Sequence, residues 1–249
     1  MSSPAGRGGR EISCGTLYLI PVGLGGHDVL GLLPPATLGA VHRLRAFIAE
    51  NPKSARGFLK QIAYPRPLRE ARIATLSEHT PASELPELIA PLLAGEDCGL
   101  LSEAGCPAIA DPGADFVRLA HSRGVRVLPL VGPSAVLLSL MASGFNGQRF
   151  EFHGYLPIDH GQRARAVREM EDASGRTGAT QIFIETPYRN DVLFRTLLDQ
   201  CRSDTLLCLA TDLTLPGESI VTASVADLRK DPPVLGRRPT VFLLWRSPK

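Results

Sequence analysis

Short apolar runs alternate with amphipathic segments along the first 144 residues. Runs typical of buried β-strands begin at Gly15, Ala71, Cys98 and Val125. Segments with a helical spacing of apolar residues separate them, at residues 36–50, 82–96, 114–124 and 133–144. Strands that alternate with helices in this way predict an α/β fold with a mostly parallel sheet.

The alternation breaks between Gly144 and Pro157 and then resumes more loosely. Strands are expected at residues 179–187, 204–214 and 239–247, and helices at 161–174, 188–201 and 224–232. A loop is expected at residues 173–180. The sequence therefore predicts a flexible tail at 1–14, an N-terminal α/β domain at 15–148 and a C-terminal α/β domain at 149–249.

Composition narrows the class of protein only slightly. The 249 residues are 44% hydrophobic and 21% charged with a net charge of +2, which is typical of a soluble globular protein without an overall bias toward polyanions. Runs of 18 apolar residues are absent, so no membrane span is expected. The first ten residues lack the apolar core of a secretory signal, and the five cysteines include no Cys-x-x-Cys pair. Reduced thiols in the cytoplasm are the expectation.

Loop residues follow three of the strand-like runs directly. Gly23, Gly25 and Gly26 follow the first run, Ser102–Gly105 follow a second and Gly132–Ala135 a third. The carboxyl ends of parallel strands are where α/β sheets bind ligands, and glycine lets a ligand approach the backbone closely. The first loop is neither a Gly-x-Gly-x-x-Gly fingerprint nor a Walker loop, and each glycine alone is explained by a turn. Three such loops together favour a small-molecule site.

The most specific motif is the stretch 102–113, "SEAGCPAIADPG", and others are "VGPSA" at 131–135 and "FIETPYR" at 183–189. With "DLTLPGESIV" from Asp212, "FIAEN" around Glu50 and "LSEH" before Thr80, these resemble motifs of the tetrapyrrole methylase family, the class III S-adenosylmethionine methyltransferases. Within it, the chain is most similar to the ribosomal RNA small subunit methyltransferase I group. The similarity runs from Gly15 to about Trp245.

The resemblance implies two α/β domains with a cleft between them that binds S-adenosylmethionine, and a homodimer. It implies no metal. The residues it assigns to the cofactor are Pro21, Gly23, Leu24, Gly25, Ser102, Glu103, Ala104, Gly105, Pro107, Gly132, Pro133, Ser134, Ala135, Phe183 and Leu213.

The resemblance also implies methyl transfer to the ribose 2′-hydroxyl of 16S ribosomal RNA, with ribosomal RNA or the small ribosomal subunit as partner. Positioning supplies most of the catalysis in such a displacement, but a hydroxyl acceptor must also lose its proton. The candidate bases match motifs of the group and are Glu50, His79, Glu185 and Glu218. Glu50 and Glu185 are equally explained as braces that hold loops, and Arg189 either as a phosphate contact or as a solvated arginine.

Some charged positions of the group differ in this chain. Asn51-Pro52-Lys53 stands where the group has Asp-Thr-Arg, Thr211 replaces an arginine and Leu215 a lysine. Phosphate contacts dominate RNA affinity, so these losses weaken the RNA assignment and leave the cofactor assignment unchanged. Basic residues between Lys53 and Arg72 are a possible compensation. The alternatives are a tetrapyrrole or other small-molecule acceptor, and a paralogue that binds cofactor or RNA without turnover.

Overall fold

The computed structural model describes residues 14–26 and 28–248, which fold into two units of α/β architecture. The first unit contains the described residues up to Gly23 and from Asp28 to Pro133, and the second contains residues 24–26 and 134–248. The chain therefore passes to the second unit before the helix at 135–143, which the sequence analysis placed in the N-terminal domain. Apart from Cys14, the predicted tail lies outside the described residues.

The first unit is built on a five-stranded, fully parallel sheet. Its strand order is β3-β2-β4-β1-β5, which confirms the predicted parallel α/β pattern. The strands are β1 (Thr16–Ile20), β2 (Ala46–Ala49), β3 (Arg72–Thr75), β4 (Cys98–Leu101) and β5 (Arg126–Pro129). The helices are α1 (Pro35–Arg43), α2 (Pro52–Gln61), α3 (Leu85–Leu93) and α4 (Ala114–Ser122).

Helices cover both faces of this sheet. On one face, Val41 of α1 and Leu59 of α2 are fully buried in one cluster with Phe47 of β2. On the other, Leu92 of α3 and Phe116 of α4 pack in a second cluster that includes the β1 residue Leu17. With both faces covered, only the loops at the strand ends remain available to bind a ligand.

The second unit is built on a mixed sheet of order β6-β7-β10-β8-β9, in which β10 runs antiparallel to both of its neighbours. Its strands are β6 (Phe150–Tyr155), β7 (Thr180–Ile184), β8 (Leu206–Thr211), β9 (Ser219–Ser224) and β10 (Thr240–Trp245). Its helices are α5 (Ala135–Ser143), α6 (His160–Thr177), α7 (Asn190–Gln200) and α8 (Val225–Lys230). Among the described residues, none of the helices combines the length and the apolar character needed to cross a membrane.

Two local predictions are wrong, and strands β6 and β9 were not predicted. Residues 36–50 do not form one helix, because α1 ends at Arg43 and β2 follows it. All four β2 residues are buried, so the strand shows no polar alternation that would distinguish it from a helix. Residues 173–177, predicted as a loop, form the last turn of α6.

Candidate active site

The predicted cofactor loops of the first unit leave its sheet at one edge. Strand β1 lies between β4 and β5, and all three run parallel, so the loops after Ile20, Leu101 and Pro129 emerge side by side. Two backbone hydrogen bonds join the first two loops. The Val22 N–H donates to the Gly105 carbonyl at 2.9 Å, and the Gly105 N–H donates to the Gly23 carbonyl at 3.4 Å.

The β5 loop packs directly against the β1 loop because its residue 132 is a glycine. A Cβ atom at Gly132 would lie 2.3 Å from Cγ of Pro21, a distance that no real side chain tolerates. Gly105 has φ +70°, and the Ser102 hydroxyl donates to its carbonyl at 2.8 Å. Glycine is thus required at positions 105 and 132, and it brings Pro21, Ser102, Gly105 and Gly132 together.

The rest of the β4 loop contains two non-glycine residues in the left-handed region. Ala108 has φ 64° and Ala110 has φ 61°, on either side of the half-exposed Ile109. Such conformations are uncommon outside glycine and persist where the surroundings enforce them, often at functional sites. Glu103 and Ala104, both predicted cofactor contacts, are exposed in the same loop, whereas Pro107 is buried.

Acidic groups line the same edge beyond β4. Glu50, at the end of β2, lines a cavity of about 460 Å³ with Asn51, Pro52, Ser77 and Glu103. In the described residues its carboxylate accepts no hydrogen bond from any other group. His79 is close in sequence, but its side chain is 87% exposed and its imidazole lies 3.5 Å from Glu78.

Asp111, inside the motif 102–113, lies at the same edge and was not among the predicted site residues. It lines a cavity of about 260 Å³ between the β3 and β4 loops, and its Oδ2 atom is buried without a hydrogen-bond partner in the described structure. Burial, followed by the Glu50 carboxylate, raises the pKa of Asp111 to about 6, against the lowering effect of the Glu103 backbone N–H. No signal in the sequence indicated this environment. Across the residues described, the acidic, histidine and cysteine side chains form no cluster able to hold a metal ion.

In the second unit, Glu185 follows β7, and its Oε1 atom is held by several donors. Its side chain is 1% exposed, and its Oε1 atom accepts from the Thr186 N–H at 2.7 Å and from the Arg189 guanidinium at 2.5 and 3.0 Å. Arg189, predicted as a phosphate contact or a solvated residue, is therefore the ion-pair partner of Glu185. This geometry favours the brace interpretation of Glu185 over the base interpretation.

The bend after β8 holds Leu213 between two left-handed residues. Asp212 has φ 50° and Thr214 has φ 69°, and Leu213 is buried between them. The Arg238 guanidinium donates to Asp212 at 2.7 Å, and the Glu218 carboxylate accepts from the Thr214 N–H at 2.8 Å. Glu218 is thus tied to this bend, and its contacts are those of a brace.

The remaining predicted contacts of the second unit differ in their accessibility. Leu24 and Ala135 pack at the edge of its apolar core, and the Ser134 hydroxyl caps α5 by accepting from the Leu137 N–H at 3.5 Å. Gly25, with φ +139°, lies against the Leu215 side chain. Phe183 is fully buried and stacks on Phe242 at 5.9 Å, so its side chain offers no surface to a ligand in this structure.

Comparison with known proteins finds close relatives among curated sequences. The chain is 30% identical over 218 residues to the ribosomal RNA small subunit methyltransferase I of Pseudomonas aeruginosa, covering 87% of this chain and 73% of that protein. It is 33% identical over 219 residues to the protein of the same name from Streptococcus pyogenes serotype M6, covering 86% of this chain and 70% of the relative. No protein-family model matches the chain.

Solved structures show the same fold at lower identity. The methyltransferase CobJ superposes with a TM-score of 0.62 at 16% identity, covering 93% of this chain and 94% of that one. The uroporphyrin-III C-methyltransferase of Thermus thermophilus, solved in complex with S-adenosylhomocysteine, gives a TM-score of 0.56 at 17% identity and covers 93% and 98% of the two chains. These similarities confirm the predicted tetrapyrrole methylase-like fold.

Proposed function

This chain belongs to the ribosomal RNA small subunit methyltransferase I family, and from that premise we propose that it methylates a ribose 2′-hydroxyl of small-subunit ribosomal RNA. Its methyl donor is S-adenosylmethionine. The observation that carries this function is the 30–33% identity to ribosomal RNA methyltransferases over more than 200 residues. The tetrapyrrole methyltransferases share the fold at only 16–17% identity, which supports an RNA acceptor over a macrocycle.

The loops of the first unit fit the donor. A Cβ at Gly132 would fill the close approach beside Pro21, and the β1 and β4 loops are held together through Gly105 and Gly23. When bound, S-adenosylmethionine supplies a methyl group on a sulfonium whose sulfur leaves with the electron pair. The contribution of the protein is to hold donor and hydroxyl in line, because a sulfonium is already a good leaving group.

We assign removal of the hydroxyl proton to Glu50. With donor and RNA bound, the Glu50 carboxylate would accept the proton that the hydroxyl loses during methyl transfer. Glu185 and Glu218 already accept hydrogen bonds from their neighbours, and His79 is almost fully exposed. Glu50 lines a cavity with Ser77 and Glu103 and has no partner of its own among the described residues.

The predicted homodimer and cytoplasmic location remain part of this proposal. Exposed apolar side chains on α5, with Leu137 52% and Met141 79% exposed, support self-association of the chain. A ribosomal acceptor requires the protein to meet ribosomal subunits where they are made, which supports the cytoplasm.

Transfer of labelled methyl groups tests the function directly. We expect the protein with tritiated S-adenosylmethionine to label the RNA of 30S subunits that lack this modification, and to leave a panel of porphyrinoids unlabelled. Glu50→Gln should lower kcat by about 10²-fold or more with little change in the KM for the donor, because the base acts only in the chemical step.

Glu70→Gln is the matched control, since it removes an exposed carboxylate from the same unit. Label in a porphyrinoid would replace the RNA acceptor by a tetrapyrrole. The absence of label in either acceptor would favour a non-catalytic paralogue, and a Glu50→Gln enzyme with the wild-type kcat would refute the assignment of the base.

A further inference from the structure

Three arginines of the second unit line one cavity that contains none of the predicted site residues. Arg176 lies in the last turn of α6, Arg202 follows α7 and Arg246 follows β10. The cavity has a volume of about 240 Å³. Its other lining residues are Asp172, Gly175 and Ser247. Three separate elements thus each contribute an arginine to the lining of this cavity.

Two residues of α6, Ser174 and Gly175, lie against Arg246. The Arg246 N–H donates to the hydroxyl of Ser174, which is fully buried in α6, at 2.9 Å. A Cβ at Gly175 would lie 3.3 Å from Cδ and 3.5 Å from Nη1 of Arg246. Glycine inside a helix is unfavourable relative to alanine, and its φ here is not one that requires glycine. The close approach of the arginine explains the glycine.

The charges at the cavity do not balance. The buried Glu171 carboxylate accepts from the Arg202 N–H at 2.7 Å and lies 3.9 Å from Nε of the same residue, so it fixes Arg202 in place. In the described part of the chain, Arg176 and Arg246 have no carboxylate within ion-pair distance. Asp172 is the one acid among the described residues that line this cavity, so its lining holds more arginines than carboxylates. Arginines that line one cavity in this way suit an anion such as phosphate.

The site is larger than one small anion. A second cavity of about 360 Å³ shares Arg246 and Ser247 with the first and is lined also by Asp204, Leu206, Trp245 and Pro248. The second cavity adds the carboxylate of Asp204 and no further cation, so the first cavity is the candidate anion site and the second extends it past Trp245.

The arginines lie at the edge of the second sheet opposite to Glu185. Strand β10 pairs antiparallel to β7, with Val241 beside Ile184 and Leu244 beside Gln181. Arg246 therefore lies near the start of β7, whereas Glu185 follows its end. At about 3.4 Å per residue, six residues along the strand separate the two positions by roughly 20 Å. The cavity is distinct from the predicted cofactor contacts of this unit.

We propose that Arg176, Arg202 and Arg246 bind a backbone phosphate of the ribosomal RNA. The proposal rests on the RNA acceptor argued above. Backbone phosphates dominate the affinity of proteins for RNA, and such contacts orient a large substrate without reading its sequence. The three arginines also provide positive charge that this chain lacks at Thr211 and Leu215, where its group has arginine and lysine.

The test compares the double variant Arg176→Ala/Arg246→Ala with the wild-type protein in binding to 30S subunits over a series of salt concentrations. We expect the affinity to fall about tenfold or more, and the slope of log K against log salt to decrease by about 0.7–0.9 for each phosphate that the variant no longer neutralises. Affinity for S-adenosylmethionine and the melting temperature should stay at wild-type values, which excludes misfolding as the cause.

The control Arg165→Ala/Arg195→Ala removes the same charge from exposed positions of α6 and α7. Binding and slope of the first double variant equal to those of this control would overturn the proposal. Titration with inorganic phosphate is a further arm, and a site that binds free phosphate while the double variant retains full RNA affinity also overturns it. A wild-type protein that fails to bind 30S subunits overturns both this site and the RNA acceptor, whereas wild-type methylation with an unaffected double variant overturns this site alone.

Discussion

At the scale of single residues, the carboxyl group of Asp111 has an effect that depends on pH. Burial and the neighbouring Glu50 carboxylate raise its pKa to about 6, and its Oδ2 atom has no hydrogen-bond partner in the described structure. The folded state therefore holds this proton more tightly than the unfolded chain does. Asp111 favours folding at low pH, and that contribution is lost as the pH rises through 6.

We therefore expect Asp111→Asn to stabilise the protein above pH 6, because the amide cannot ionise. Since Asp111 is partly exposed, solvent screening reduces the gain in unfolding free energy to about 1 kcal/mol or less. The gain should shrink toward zero below about pH 4, where the carboxyl is protonated in both states. Urea unfolding over a pH series measures it, and a variant less stable than the wild type at pH 8 would show that the carboxylate is required there.

The sequence identified most of these positions without distinguishing their roles. The motif around Glu185 indicated a site residue, but only the contacts of Arg189, one helical turn later, show that its carboxylate is engaged. Glu50 also lies in a motif of the group, but no arginine or other donor among the described residues binds its carboxylate. Whether a carboxylate is free or paired depends on tertiary neighbours, so sequence reasoning left base and brace open. The burial that raises the pKa of Asp111 likewise depends on tertiary neighbours, so the sequence did not indicate it.

At the scale of elements, the β1 and β5 loops of the first unit lie close together because residue 132 is a glycine and has no side chain. Gly132 leaves no room for a Cβ beside Pro21, and neither the proline ring nor the backbone moves easily. Gly57, in the middle of α2, has no atom within 4 Å of the position its Cβ would occupy. These two glycines therefore form a matched pair.

We expect Gly132→Ala to lower the unfolding free energy by about 2 kcal/mol, as overpacked sites do, and to weaken S-adenosylmethionine binding by moving the β5 loop away from the β1 loop. Gly57→Ala should raise the unfolding free energy by about 0.5–1 kcal/mol, because alanine is the better helix former, and leave cofactor binding unchanged. Chemical denaturation and calorimetric titration measure both effects. Full cofactor affinity in the Gly132→Ala protein would contradict the proposed site.

Three strands were not predicted, for different reasons. Strand β2 is buried on both faces, so its four apolar residues show no alternation. Strands β6 and β9 are the two edge strands of the second sheet. β6 lies where the alternation of elements breaks, and the Ser-Ile-Val-Thr-Ala-Ser sequence of β9 is only partly apolar. Central β1 and β4 were predicted because glycine- or serine-rich loops follow them, so a clear turn after an apolar run was the more useful signal.

At the scale of the whole molecule, binding of the cofactor should stabilise the folded protein. A ligand that binds only the folded state stabilises it by about 2.7 kcal/mol at a concentration one hundred times its Kd. We expect S-adenosylmethionine to raise the melting temperature with this dependence on concentration, and ATP at equal concentrations to leave it unchanged. Scanning fluorimetry measures the shift. An unaltered melting temperature at high donor concentration would exclude a donor site in the folded protein.

The assignment of residues 24–26 to the second unit has a consequence for biosynthesis. Leu24 contacts a core that includes Leu213 and Leu243, and Gly26 lies against Leu215, so these early residues leave the ribosome almost two hundred positions before their packing partners. The parallel sheet of the first unit is complete once β5 has been made. The glycine segment can complete its packing only when translation is nearly finished, so this proposed part of the donor site forms late.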